Sequence, residues 1–242
     1  MASRKNHTLK LAGILLALVL VTSCFVGGTF AKYVTKGTGS DSARVAKFGV
    51  TVTAEGSTFA KAYATEDNTV TGITQSVISS NDNEKVVAPG TSGQMAAIKI
   101  TGTPEVAVNV RYNLNKITLN NWTDKDGNFY CPLTISITRY SAEDGGKTTT
   151  HIPGLDYNSA DGFIREIRNV INNYSVNYAP GTVLDEKNGT DVLGISWKWA
   201  FEDKAADAKQ TDVKDTYLGD QAAKGNAATI DLEVVTTVTQ ID

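Results

Sequence analysis

Few residues in this chain have side chains suited to catalysis. There are two histidines, His7 and His151, and two cysteines, Cys24 and Cys131. A histidine-based zinc site needs two or three imidazoles at spacings such as HExxH, and no segment has that form. A nucleophilic pair would have to join Cys131 to His151. Cys131 lies in "FYCPLTISI", a strand-like segment beside Pro132 with no helix N-terminus to stabilise a thiolate, so a buried, inert thiol is the plainer reading. "TDKDGNFY" (123–130) gathers Asp124, Asp126 and Asn128 around Gly127, but it lacks the glycine placement and distal glutamate of a calcium loop. It reads as a polar turn between strands. Asp203, Asp207, Asp212 and Asp215 form a second acidic group, and calcium at either place is left open. Trp197 and Trp199 flank Lys198, and a shared tryptophan face in a strand is more often core than sugar platform. The carboxylates are too scattered to nominate a glycosidase pair. The sequons at Asn121, Asn173 and Asn188 matter only in a glycosylating host. The inventory argues against an enzyme and names no cofactor or metal site.

The elements that would carry these residues are mostly strands. The 242 residues are 41% hydrophobic, rich in glycine and poor in proline and methionine, a mixture suited to strands and tight turns in one large domain. "RVAKFGVTVTA" puts Ala46, Phe48, Val50 and Val52 on one side with period two. "AAIKITG" (96–102), "EVAVNVRYNLN" (105–115), "LTISITRY" (133–140), "TDVLGISWKWAFE" (190–202) and "ATIDLEVVTTVTQID" also read as strands, and "SAEDGGK" reads as a hairpin turn. Helix is the minority. "ADGFIREIRNVINNY" aligns Phe163, Ile164, Ile167, Val170, Ile171 and Tyr174, with Asp161 as N-cap, and a weaker helix is expected within 203–224. The pattern predicts an all-β, two-sheet sandwich with one or two short helices covering an edge or end.

The N-terminus places the chain. Arg4, Lys5 and Lys10 precede "LAGILLALVLV" (11–21), an apolar run shorter than the roughly 20 residues of a spanning helix. A basic start, an apolar middle and small residues after it describe a secretory signal over residues 1–31, cut between Ala31 and Lys32. "VTSC" (21–24) also has the form of a lipobox, with Cys24 as the lipidated residue, but the apolar run continues past it through "FV". Cleavage at Ala31 leaves Cys131 as the only cysteine and 20 basic against 26 acidic residues. An acidic surface without a basic stripe is unsuited to nucleic acid or anionic lipid, so the membrane is met only through the signal segment. The expected organisation is signal peptide 1–31, a flexible arm 32–43 and a β-sandwich domain 44–242. Neither an LPxTG-like site nor an apolar C-terminal stretch is present, which argues against sortase attachment.

"GGTFAKY" at the cut and "RVAKFGVTVTA" after it resemble the TasA/camelysin family of exported Gram-positive proteins. "VVAPGTSG" (86–93), "ITGTPEVAVNVRY" (100–112) and "ISWKWAFE…DVKDTYLG" (195–219) are similar to segments of related members. The resemblance implies processing by a SipW-type signal peptidase and a jelly-roll form of the sandwich. It also implies assembly into extracellular fibres of a biofilm matrix, the freed N-terminal segment adding a strand to the next copy. Mapped here, the donor begins at Lys32 and its contacts are Tyr33, Val34, Val45 and Phe48. Camelysin's metalloprotease activity is not carried over, because the histidine ligands are missing.

Burial of Tyr33 and Val34 yields roughly 3–6 kcal/mol, and each added strand hydrogen bond about 0.5–1.5 kcal/mol net. Association costs an estimated ~4–15 kcal/mol. Tyr33 and Val34 alone are therefore marginal, and either Val45, Phe48 and Val50 join the exchanged strand or the sandwich faces contribute as well. The expectation is a secreted structural subunit that binds copies of itself or related subunits. The alternative is a monomeric cell-surface binding protein or adhesin, lipid-anchored at Cys24 in one version.

Overall fold

The computed structural model describes residues 46–55, 59–64, 72–81, 84–141, 146–185, 192–201 and 208–241. All belong to one compact unit, Val34–Asp242. In chain order the strands are β1 (Val50–Glu55), β2 (Ala62–Tyr63), β3 (Val77–Ile78), β4 (Ser92–Gly102), β5 (Val108–Asn120), β6 (Leu133–Ser141) and β7 (Gly146–Pro153). Helix α1 (Ala160–Asn172), β8 (Ser175–Tyr178), β9 (Val192–Trp199), helix α2 (Ala208–Ala223) and β10 (Thr229–Gln240) follow. One sheet has the order β1-β4-β9-β6-β7, a second the order β10-β5-β8, and β2 with β3 forms a small ladder. Every pairing is antiparallel.

Period-two patterning sets which face each strand buries. Leu133, Ile135 and Ile137 of β6, Leu193, Ile195, Trp197 and Trp199 of β9, and Ile98 and Ile100 of β4 point into the core. Val108, Val110, Tyr112 and Leu114 of β5 join Val238 of β10 in the same cluster. The two larger sheets thus share one apolar core, an all-β sandwich architecture. Trp197 is 2% exposed and lies opposite Gly93 in β4 and Ile135 in β6, with the rings of Phe59 and Tyr63 against it at 5.5 and 5.8 Å. Trp199 is equally committed. The tryptophan face is core.

Helix α1 buries Phe163, Ile167 and Ile171, packs on β5 and reaches β6 and β7. Its N-cap is Ser159, whose Oγ accepts from the Gly162 amide at 3.2 Å. Asp161, expected as the cap, sits instead in the first turn, where its charge complements the helix dipole. The helix end also closes one edge of the smaller sheet. β8 pairs only with Val108 to Arg111, and beyond it the Leu114 amide donates to Asn172 Oδ1 at 2.8 Å.

The first strand starts later than its pattern predicts. Gly49 adopts φ +57°, which breaks the extended run before Val50. Gly49 lies against the end of β4: a Cβ on Gly49 would be 2.6 Å from the Thr103 carbonyl oxygen, and one on Gly102 would overlap the Gly49 carbonyl oxygen. Lys47 N donates to Glu105 Oε2 at 2.8 Å, and Glu105 N returns a bond to Lys47 O at 3.0 Å. Gly102 and Leu184 exchange two further backbone bonds on the other side. Residues 102–105 therefore form a hub that fixes where the chain enters the body.

Candidate functional site

Of the residues expected to act at the N-terminus, Ala31, Lys32, Tyr33, Val34 and Val45 lie outside the described residues, as do the signal peptide and the arm. Phe48 is described, half-buried and packed against the chain's own core. With Lys47 bonded to Glu105 and Val50 already in β1, Phe48 and Val50 serve this body rather than an exchanged strand. The segment left for exchange ends near Val45.

A joining strand needs an edge. Among the described residues the five-stranded sheet ends at β1 and β7, and the three-stranded sheet at β8 and β10. β10 is the longest of these edge strands with twelve residues, and it pairs with β5 alone. Its inward residues Ile230, Leu232 and Val234 are only half-buried, whereas Tyr112 and Leu114 beside them in β5 are buried. The register shift at Glu233 and Val234 skips Asn115, so the extra residue is in the inner strand β5 and β10 itself keeps its period of two. Thr236, on the same inward face, has a buried hydroxyl with no hydrogen-bond partner. Unmatched buried hydroxyls are uncommon in native folds.

The other candidate chemistry is largely consumed by structure. Cys131 is buried, and burial pushes its thiol up to about 12, opposed only by a backbone hydrogen bond at Leu133. We expect Cys131 to resist maleimide labelling at pH 8 and to react fully once the chain is unfolded in guanidinium; fast labelling of the native protein would contradict this burial. His151 sits on the outer face, and its Nδ1 is 2.7 Å from Ser136 Oγ. Register places Gln94, Ser196, Ser136 and His151 in one row across β4, β9, β6 and β7, and the first three line a shallow depression of about 380 Å³ together with Lys198. A serine–histidine contact is half of an acyl-transfer device. Here the serine lies in mid-sheet, with β7 on one side and β9 on the other, so the neighbouring amides are committed to ladders and form no oxyanion hole.

The acidic groups are locked by partners. Asp124 is 4% exposed; its Oδ1 accepts from the Asp126 and Asn128 amides, and its Oδ2 lies 3.1 Å from Lys214 Nζ on α2. Burial alone would raise this carboxyl, but the Lys214 ammonium and the two amides outweigh it and hold it below its ordinary value. The bound ammonium also occupies the place a cation would take. Asp215 accepts from Tyr130 Oη at 2.6 Å and from Trp199 Nε1 at 3.1 Å. Lys214 Nζ stands 5.1 Å from the centre of the Tyr130 ring. Successive residues of α2 thus bind the 123–130 turn and strand β9 together. Among the described residues no group of three His, Cys, Asp or Glu side chains could hold a metal; Asp203 and Asp207 lie outside them.

Two outcomes follow from this clasp. Because the folded value of Asp124 is lowered from 3.8, its contribution is present above that pH and is lost as pH falls through the folded value. Wild-type protein should therefore lose stability more steeply than Asp124→Asn below pH 4, measured by urea unfolding across pH 2 to 6. Asp215→Ala removes the shared acceptor of two part-buried donors and should lower stability by about 2–4 kcal/mol. Asp215→Asn, able to accept from only one of them, should fall between.

Among the described residues the molecule is an antiparallel β-sandwich with β10 as an open edge strand and a polar clasp at one helix. Comparison with protein-family models, curated proteins and solved structures finds no match.

Proposed function

We propose that this chain is a secreted structural subunit whose copies assemble into extracellular fibres by strand addition. Cleavage between Ala31 and Lys32 by a SipW-type signal peptidase frees the arm, and residues from Lys32 onward, with Tyr33 and Val34 as apolar anchors, join a sheet of the next copy. The observation that carries this reading is the β10 edge: twelve residues of strand backbone with no second partner among the described residues, above half-covered apolar side chains. A non-enzymatic role and the jelly-roll variant of the sandwich belong to the same proposal. Phe48, committed to its own core, drops out of the donor segment.

Electron microscopy of mature protein beginning at Lys32 tests the proposal. Fibres are expected, and deletion of residues 32–43 should abolish them while leaving the body folded by circular dichroism. Protein that stays monomeric at high concentration, or a truncation that changes nothing, overturns the reading.

The second reading, a monomeric surface binding protein, is favoured by the Gln94–Ser196–Ser136–His151 row with Lys198 beside it, a donor-rich shallow surface. Its ligand would be a hydroxylated or acidic glycan held by hydrogen bonds, since Trp197 and Trp199 are buried and offer no stacking platform. Glycan-array binding lost on Lys198→Ala would support it.

A further inference from the structure

Gln94, Ser196, Ser136 and His151 stand side by side on the outer face of β4, β9, β6 and β7. Gln94 and His151 at the two ends are exposed, and Ser196 and Ser136 between them are half-buried. Neighbouring strands are about 4.8 Å apart, close to the repeat of a linear, β-linked sugar chain. A chain laid across the strands meets one of these side chains per sugar unit. All four make hydrogen bonds and none carries a carboxylate. Lys198, two residues along β9 on the same face, adds an ammonium to the wall of the depression. The other titratable side chains sharing this face on β6 and β7 are Tyr140 and Lys147, each four residues from the Ser136–His151 pair. Helix α1 meets β6 and β7 from the core side through its buried apolar face. Around His151, then, the described residues of these elements put cations and neutral groups on the outer face, and no anion.

We propose that this row binds a linear acidic polysaccharide, and that protonation of His151 tightens the hold through Ser136. This rests on the binding-surface reading and is independent of strand addition. His151 Nδ1 lies 2.7 Å from Ser136 Oγ. A neutral ring with its proton on Nε2 accepts the Ser136 hydrogen at Nδ1, so the hydroxyl shows only lone pairs to the depression. That arrangement repels a carboxylate. An imidazolium carries hydrogen on both nitrogens, so Nδ1 donates to Ser136 and the hydroxyl hydrogen turns to another acceptor. Ser136 lines the depression, and a carboxylate bound there is that acceptor. One protonation thus adds a positive charge at the end of the row and reverses the polarity of the serine within it. A neutral sugar chain, whose hydroxyls donate as readily as they accept, gains little from the reversal.

Isothermal titration calorimetry of the mature chain beginning at Lys32 tests this, with a β-linked mannuronate hexasaccharide and with cellohexaose. Both are titrated at pH 5 and pH 8 at one ionic strength, an interval across which imidazoles change charge while a uronate stays ionised. The mannuronate should bind about tenfold more tightly at pH 5, the gain of a charge-assisted over a neutral hydrogen bond. Cellohexaose should bind more weakly, and equally at the two pH values. His151→Gln should remove the pH dependence, and Ser136→Ala should reduce it to about threefold, the share of the ring charge alone. Lys198→Ala should weaken mannuronate binding at both pH values without changing their ratio. A ratio kept by His151→Gln, or equal affinity for the two sugars, overturns the inference and leaves the binding-surface reading standing. A ratio untouched by Ser136→Ala overturns the part played by the serine. Binding of neither sugar also overturns the inference, and the glycan array with Lys198→Ala then decides separately whether the binding-surface reading survives.

Discussion

Trp197→Ala should destabilise the body by about 3–5 kcal/mol, the range for removing a large aromatic from a packed core. The indole is nearly inaccessible, lies opposite Gly93 and Ile135 within the five-stranded sheet, and has the ring of Phe59 tilted against it and that of Tyr63 in an edge contact. No neighbouring backbone can easily close the gap, because β9 is held between β4 and β6. The small β2–β3 ladder should suffer most, since Tyr63 belongs to it and Phe59 precedes it. Urea denaturation followed by fluorescence of Trp122 and Trp199 measures the loss. Hydrogen exchange at Ala62, Tyr63, Val77 and Ile78 should show faster opening there than elsewhere. A loss below about 1 kcal/mol would contradict the packing described.

Gly102→Ala should cost about 2–5 kcal/mol, from a left-handed backbone and a backbone clash acting together. Gly102 has φ +129°, and its missing side chain leaves room for the Gly49 carbonyl. Adding a methyl group forces Gly49, and with it the start of β1, away from β4. Two sets of paired bonds are at stake: those between Lys47 and Glu105, and those between Gly102 and Leu184. The variant should therefore lose exchange protection along β1 as well as global stability, and Gly49→Ala should show the same pattern. Global destabilisation without opening of β1 would argue against the hub.

Much of the fold was legible because its signals are local. The alternation in β6, β9 and β10 and the apolar stripe of α1 follow from spacing within one element, and those elements stand where the patterns put them. The misses come from contacts distant in sequence. Alternation carried the first strand back to Ala46, but Gly49 ends it, because Gly102 and Thr103 crowd that point from about fifty residues away. The helix cap moved from Asp161 to Ser159, a choice between two competent neighbours that spacing does not settle. β8 is four residues long, too short for a periodic signal to stand out. The acidic groups read as loose carboxylates until Tyr130 and Asp215, 85 residues apart, proved to be partners. The unmatched hydroxyl of Thr236 was equally invisible, since a threonine in a strand is ordinary until its surroundings are known. Most of the expected N-terminal site falls outside the described residues.

The Gly49–Gly102 junction also has a mechanical meaning. Any tension carried by the arm reaches the folded body at Lys47 and Gly49 before it reaches a single rung of the β1–β4 ladder. Load is first met by the reciprocal Lys47–Glu105 bonds and by interlocked backbone, neither of which relies on a flexible side chain packed in the core.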